Sequence, residues 1–94
     1  MLTELNYKGY EEYLVEESNC YFGPNSYLYE FKFDNNYKAV VMKHQGTLGG
    51  SNDLFELAVY YKYSMISSSP AGSGIKGFLT NEQVLEELYK LKEL

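Results

Sequence analysis

The most regular stretch of the chain runs from Tyr27 to Phe33, where Tyr27, Tyr29, Phe31 and Phe33 alternate with Leu28, Glu30 and Lys32. That two-residue period predicts a half-buried strand. Asp34-Asn35-Asn36 follows as a tight turn, because asparagine tolerates the positive φ that hairpin turns require. With Asn35-Asn36 as a two-residue loop, Phe33 faces Lys38, Phe31 faces Val40, Tyr29 faces Met42 and Tyr27 faces His44. Tyr29, Phe31, Val40 and Met42 then share the core face, and a slip by one residue would break the arrangement.

A second alternation spans Leu54 to Ile66, with Phe55, Leu57, Val59, Tyr61, Tyr63 and Met65 against Glu56, Ala58, Tyr60, Lys62 and Ser64. It predicts one long strand with a single core face. The opposite face of the sheet then carries Glu30, Lys32, Ala39, Val41, Glu56, Ala58, Tyr60 and Lys62, mixed enough to be wet and apolar enough to bind. Ile75 to Leu79 is a candidate short edge strand, and Ser67 to Gly74 reads as a flexible connection.

Helical spacing appears at the two ends. Leu2, Leu5, Tyr10, Tyr13, Leu14 and Glu17 fit a helix stripe, which predicts a helix at about Tyr7 to Glu17; Gly9 weakens its first half, and Asn19 with Gly23-Pro24-Asn25 ends it. The last helix, Asn81 to Leu94, begins with a capping box of Thr80 and Gln83 and buries Val84, Leu85, Leu88 and Leu91. Glu82 near its start and Lys90 and Lys92 near its end suit the helix dipole. The expected fold is one α+β domain over residues 1–94, a two-layer structure with an antiparallel sheet of three to four strands between an N-terminal and a C-terminal helix (α-β-β-β-α).

Composition changes the picture in one respect. The 94 residues include 11 tyrosines and 13 carboxylates against 8 lysines, with no arginine and no tryptophan, for a formal charge of -5. That balance opposes contact with nucleic-acid phosphates, and without arginine the bidentate fork for phosphate and guanine is missing. Tyrosine joins an apolar ring to a polar tip, so rings in excess of what a small core absorbs are expected at a protein interface. The Lys, Asn, Tyr, Phe and Glu bias also fits translation of an AT-rich gene, which needs no functional cause. A single Cys20 and the absence of a basic-then-apolar leader predict a soluble protein of a reducing, cytoplasmic compartment.

Candidate chemistry is sparse. Cys20 and His44 are the only thiol and imidazole, and no spacing joins them as a nucleophile and base or as metal ligands, so no catalytic residue, cofactor or metal is assigned. Gly46 to Asn52 is glycine-rich but matches neither a P-loop nor a dinucleotide fingerprint and precedes a strand, so a plain connection is expected. The feature that stands out is the run Tyr10, Glu11, Glu12, Tyr13, Glu16, Glu17 and Tyr21, with Tyr7 and Tyr27 near it. Its plain reading is a solvated helix face. Its functional reading is a partner-binding surface, where carboxylates steer association with a basic groove and tyrosines supply rigid contact area.

The short length, acidic balance, tyrosine-rich strands and terminal helix opening Phe78-Leu79-Thr80-Asn81-Glu82-Gln83 resemble the small phage-encoded inhibitors of bacterial defence, the anti-CRISPR class in particular. The resemblance implies a non-enzymatic inhibitor without a cofactor, acting in the host-cell cytoplasm. It would occupy a nucleic-acid-binding or subunit-docking surface of a larger basic protein, such as a CRISPR effector or a nuclease, as a DNA mimic. Two other classes stay open: an immunity protein or antitoxin that neutralises a nuclease toxin, and a module that self-associates, as a homodimer, through its sheet edge or the Tyr60 face.

Overall fold

The computed structural model of the protein describes residues 2–18, 26–62, 64–66, 68–69 and 72–94. Its centre is the hairpin of β2 (Tyr27–Lys32) and β3 (Tyr37–Lys43). Tyr29, Phe31 and Phe33 are buried as their alternation predicts. The expected register, however, is off by one: Phe31 faces Ala39, Tyr29 faces Val41 and Tyr27 faces Lys43. Ala39, Val41 and the unexpected Lys43 therefore turn inward, while Val40 and Met42 turn outward.

The cause lies in the turn. Phe33 and Tyr37 close a three-residue loop, Phe33 N–H donating to Tyr37 O at 2.9 Å, with Asn36 in the left-handed region at φ 73. Asn35 is drawn out of the ladder because its side-chain amide donates to the carbonyls of Leu91 at 2.7 Å and Leu94 at 3.1 Å, tying the turn to the last turn of the helix and the residues beyond it.

The expected N-terminal helix is absent; residues 2–10 run as an irregular strap, Glu11–Tyr13 make a single 3-10 turn, and β1 (Leu14–Ser18) follows. Gly9 at φ 98 breaks the helical path, and the residues beyond it gain more by pairing with β2 than by closing isolated helical turns. Leu14 pairs with Phe31 and Glu17 with Tyr29, with a bulge at Val15 between Leu14 and Glu16. The strap is fastened at three points. Thr3 donates to Asp53 from its backbone N–H at 2.7 Å and its hydroxyl at 2.6 Å, Leu5 N–H donates to the Tyr29 hydroxyl at 3.0 Å, and Asn6 exchanges two hydrogen bonds with the Asn81 side chain at 2.7 and 2.8 Å.

The expected long strand also folds back on itself. β4 (Phe55–Tyr61) ends at Lys62, whose φ is 58, and β5 (Ser64–Met65) returns alongside it. A small ladder of β6 (Ser68–Ser69) and β7 (Gly72–Ser73) lies where only a flexible connection was expected. β8 (Ile75–Leu79) pairs antiparallel with β4, confirming the edge strand. The antiparallel sheet thus has six strands in place of three or four, ordered β1-β2-β3-β4 with β5 and β8 sharing the far side of β4.

Helix α1 (Asn81–Lys92) opens with the expected capping box, Gln83 N–H donating to the Thr80 hydroxyl at 3.2 Å and Thr80 N–H to the Gln83 side chain at 2.8 Å. Val84, Leu88 and Leu91 pack on the sheet with Leu5 of the strap, so helix and strap form the second layer of an α+β domain. Leu85, expected in the core, is only half-buried, and Glu87 takes an inward place instead. Among the described residues no helix is long and apolar enough to cross a membrane.

Candidate protein-docking site

The strap and β1 enclose a cleft of about 380 Å³ lined by Glu4, Leu5, Asn6, Tyr7, Lys8, Glu11, Glu17 and Tyr29. Aromatic core lies beneath it: the Tyr7 ring is 5.9 Å from the buried Tyr29 and 5.8 Å from the buried Phe31, the latter edge-on. Its rim is acidic, with Glu4, Glu11 and Glu17 all exposed.

Both tyrosine hydroxyls of the cleft are held above the ordinary value, each for a different chief cause. Hydrogen bonding to Glu17 is the main cause holding the Tyr7 hydroxyl above its ordinary pKa, followed by burial and the charges of Glu17, Glu11 and Glu4. Burial pushes Tyr29 up to about 12, against the Leu5 N–H bond that lowers it, with Glu4 and Glu17 adding to the rise. A cation would lower both, because it would neutralise the same carboxylate charges. Within this geometry the cleft can receive an ammonium or guanidinium group between the exposed carboxylates and the half-buried Tyr7, with the buried Tyr29 ring beneath.

The neighbouring carboxylates outnumber the one lysine of the lining, Lys8, and form no ion pair among the described residues. The ion pairs among the described residues draw on Glu30, Asp53, Glu87 and Glu93, and none involves Glu4, Glu11, Glu12, Glu16 or Glu17. Glu11 accepts the Gly9 N–H at 2.8 Å and Glu16 the Ser18 hydroxyl at 3.3 Å, contacts that leave both charges intact.

The residues singled out in the sequence are divided by the structure. Glu11 and Glu17 meet in the cleft, whereas Glu12 is exposed outside it and Glu16 pairs with Glu30 across β1 and β2. Tyr13 packs its ring 5.1 Å from Phe33 and is part of the core margin. Tyr10 turns to α1, where it lines a shallow apolar groove with Leu85 and Tyr89 between Glu82, Glu86 and Lys90. Tyr21 and Cys20 lie outside the described residues. The helical rows of charge expected from the sequence do not form, because the helix does not. Glu4, Tyr29 and, as a cleft wall, Tyr7 were missed as site residues: Glu4 is isolated in sequence, and Tyr29 reads simply as a strand core residue.

The other candidate chemistry is taken up by the fold. His44 is buried, and its Nδ1 accepts the Gly46 N–H at 2.9 Å. In the glycine-rich loop the N–H groups of Thr47, Gly50, Asn52 and Asp53 donate to loop carbonyls, and Leu48 N–H donates to Glu56. These donors are directed into the loop and away from any anion, as a plain connection requires. Gly50 is obligatory there, since a Cβ would collide with His44 O. Lys43 is saturated too, with Nζ 2.9 Å from both Thr3 O and Asp53 and 3.7 Å from the Phe55 ring centroid. Among the described residues no group of His, Cys, Asp and Glu is arranged to hold a metal.

Comparison with protein-family models, curated proteins and solved structures gives no match to this chain.

Proposed function

We propose that this protein is a non-enzymatic inhibitor that docks its acidic, tyrosine-lined cleft onto a positively charged surface of a larger nucleic-acid-handling protein. The observation that carries this reading is the gathering of Glu4, Glu11 and Glu17 beside Tyr7 and Tyr29, three carboxylates against the single lysine Lys8 of the lining, with no ion pair to any of them among the described residues. Such surface charge contributes little to stability, yet it steers encounter and selects a partner of opposite sign. A surface basic enough to attract it is the kind that binds nucleic-acid phosphates, so occupation by this protein would block nucleic acid there. Tyr10, with the half-buried Leu85 and the exposed Tyr89, supplies apolar area close to Glu82 and Glu86 on α1, extending the contact beyond charge.

Self-association through the β1 edge fits the geometry less well. β1 has five residues, a bulge, and Glu16 and Glu17 along it, the devices that keep sheet edges from pairing.

The test is capture from a host lysate on immobilised wild-type protein and on the Glu4→Lys/Glu11→Lys variant in parallel. A protein held by the wild type, lost by the variant and eluted by moderate salt is the expected result. Tight binding of the purified protein to plain DNA or RNA at moderate salt would overturn the proposal.

A further inference from the structure

On the outward face of the sheet, beside the β2–β3 turn, Glu30, Lys32, Asn36, Lys38 and Lys62 line a depression of about 310 Å³. Three lysines line it in a chain that has 8 lysines and a net charge of -5. The strand register forces this: Lys32 lies directly opposite Lys38, and Lys38 opposite Tyr60. Like charges facing each other across a strand pair destabilise the sheet. Glu30 relieves only one of them, at 3.3 Å from Lys38 Nζ, and no ion pair among the described residues involves Lys32 or Lys62.

The backbone holds this arrangement in place. Lys62 and Asn36 are both non-glycine residues at positive φ, 58 and 73, and Lys62 N–H donates to Asn36 O at 2.8 Å, which fixes the third lysine against the hairpin tip. Rings lie beside two of the ammonium groups, Lys38 Nζ 4.9 Å from the Tyr60 centroid on the outward face and Lys62 Nζ 5.7 Å from that of Tyr61, whose ring packs on Tyr37 at the inward side of the sheet edge.

We propose that this depression is a binding site for a single phosphate group. Three lysines against one carboxylate among the lining residues leave a formal charge of two, matching a phosphate dianion, and lysines serve as point charges around such a compact group where a planar carboxylate would favour an arginine fork. The negative charge of the rest of the chain repels a polyanion such as a nucleic acid, so the ligand presents one phosphate and not a row of them. The site lies on the sheet face opposite the acidic cleft and stands independently of the docking function.

The test is an amide NMR titration with sodium phosphate at constant ionic strength, repeated with acetate and on the Lys32→Thr and Lys62→Asn variants. Threonine suits an exposed strand position and asparagine suits positive φ, so both variants should keep the wild-type spectrum, and Lys32→Thr should melt higher without ligand because the repulsion is gone. Saturable shifts confined to residues 32, 36, 38, 60 and 62, at least about tenfold weaker with acetate and in either variant, are expected for a site of this charge. A phosphoserine peptide beside its unphosphorylated twin identifies the source: tighter binding than free phosphate assigns a phosphorylated chain, and weaker binding assigns a small free anion. Shifts that do not saturate, that spread equally to Lys8, Lys76 and Lys90, or that survive both substitutions would overturn the proposal.

Discussion

The charges buried between the two layers and the charges around the cleft follow opposite rules. Lys43 is 1% exposed and bonded to Thr3 and Asp53, and the buried Glu87 is held by Lys76 at 2.8 Å and Lys90 at 3.2 Å. Among the described residues no buried side-chain polar atom lacks a partner. A few residues away, Glu4, Glu11 and Glu17 stand together around a cleft whose lining includes Lys8, and none of them forms an ion pair among the described residues. Desolvation explains the first pattern, since an unpaired buried charge is far more costly than an exposed one. Folding explains the second only in part, since Glu11 accepts the Gly9 N–H and Glu17 the Tyr7 hydroxyl while three carboxylates beside one lysine still repel. Paired charges thus mark where the fold is fastened, and the unpaired ones mark where a partner is expected.

The comparison breaks most visibly if the core does not dominate stability. Phe31→Ala is expected to cost about 3–5 kcal/mol in denaturant unfolding, the range for core aromatics, while Lys32→Ala on the outward face should cost none. Equal effects would mean that the faces of β2 are wrongly assigned. Next comes the fastening: Lys43→Ala strips Asp53 of its cation and the strap of one tie, at about 3 kcal/mol, the low end for a broken buried pair because the Asp53 side chain is 43% exposed. A loss comparable to an ordinary surface substitution would show that the clamp is incidental.

Titration sharpens the same contrast. The hydrogen bonds from Thr3, then the Lys43 contact, hold Asp53 down at about 2 against an ordinary 3.8. Its contribution is therefore fully present above about pH 4 and should fade as pH falls towards 2, with the strap loosening first in hydrogen exchange. Tyr29, raised to about 12, works at the other end. The unfolded chain ionises this tyrosine near pH 10 and the folded one resists, so stability should fall between about pH 10 and 12, and Tyr29→Phe should flatten that limb. The smallest effect is expected in the cleft: Glu4→Lys/Glu11→Lys should shift unfolding free energy by no more than about 0.5 kcal/mol, as exposed sites do.

The sequence makes legible those elements whose conformation is set locally. β2 follows from alternation, and α1 follows from its capping box and apolar spacing. What escaped was fixed by partners remote in the chain. The strap's hydrogen bonds reach 24, 50 and 75 residues away, to Tyr29, Asp53 and Asn81, and no local period encodes them. The face of β3 was inverted because Asn35 answers to a helix end 56 residues away. β4 was read too long because Tyr61, Lys62 and Tyr63 continue the alternation even where Lys62 turns the chain. Of the site, the excess of carboxylates was readable, but its shape was not: a helix would have aligned Glu12 and Glu16 with Glu11 and Glu17, whereas β1 and the strap gather Glu4, Glu11 and Glu17 around two tyrosines.

That difference permits a direct measurement of the central claim. Stopped-flow association with the captured partner should be compared for the wild type, Glu4→Lys/Glu11→Lys in the cleft, and Glu12→Lys/Glu16→Lys outside it, across a salt series. The cleft variant is expected to associate at least about tenfold more slowly and to lose most of its salt dependence, while the outer variant stays much closer to the wild type. Identical rates and identical salt slopes for the wild type and the cleft variant would contradict a docking role for the cleft.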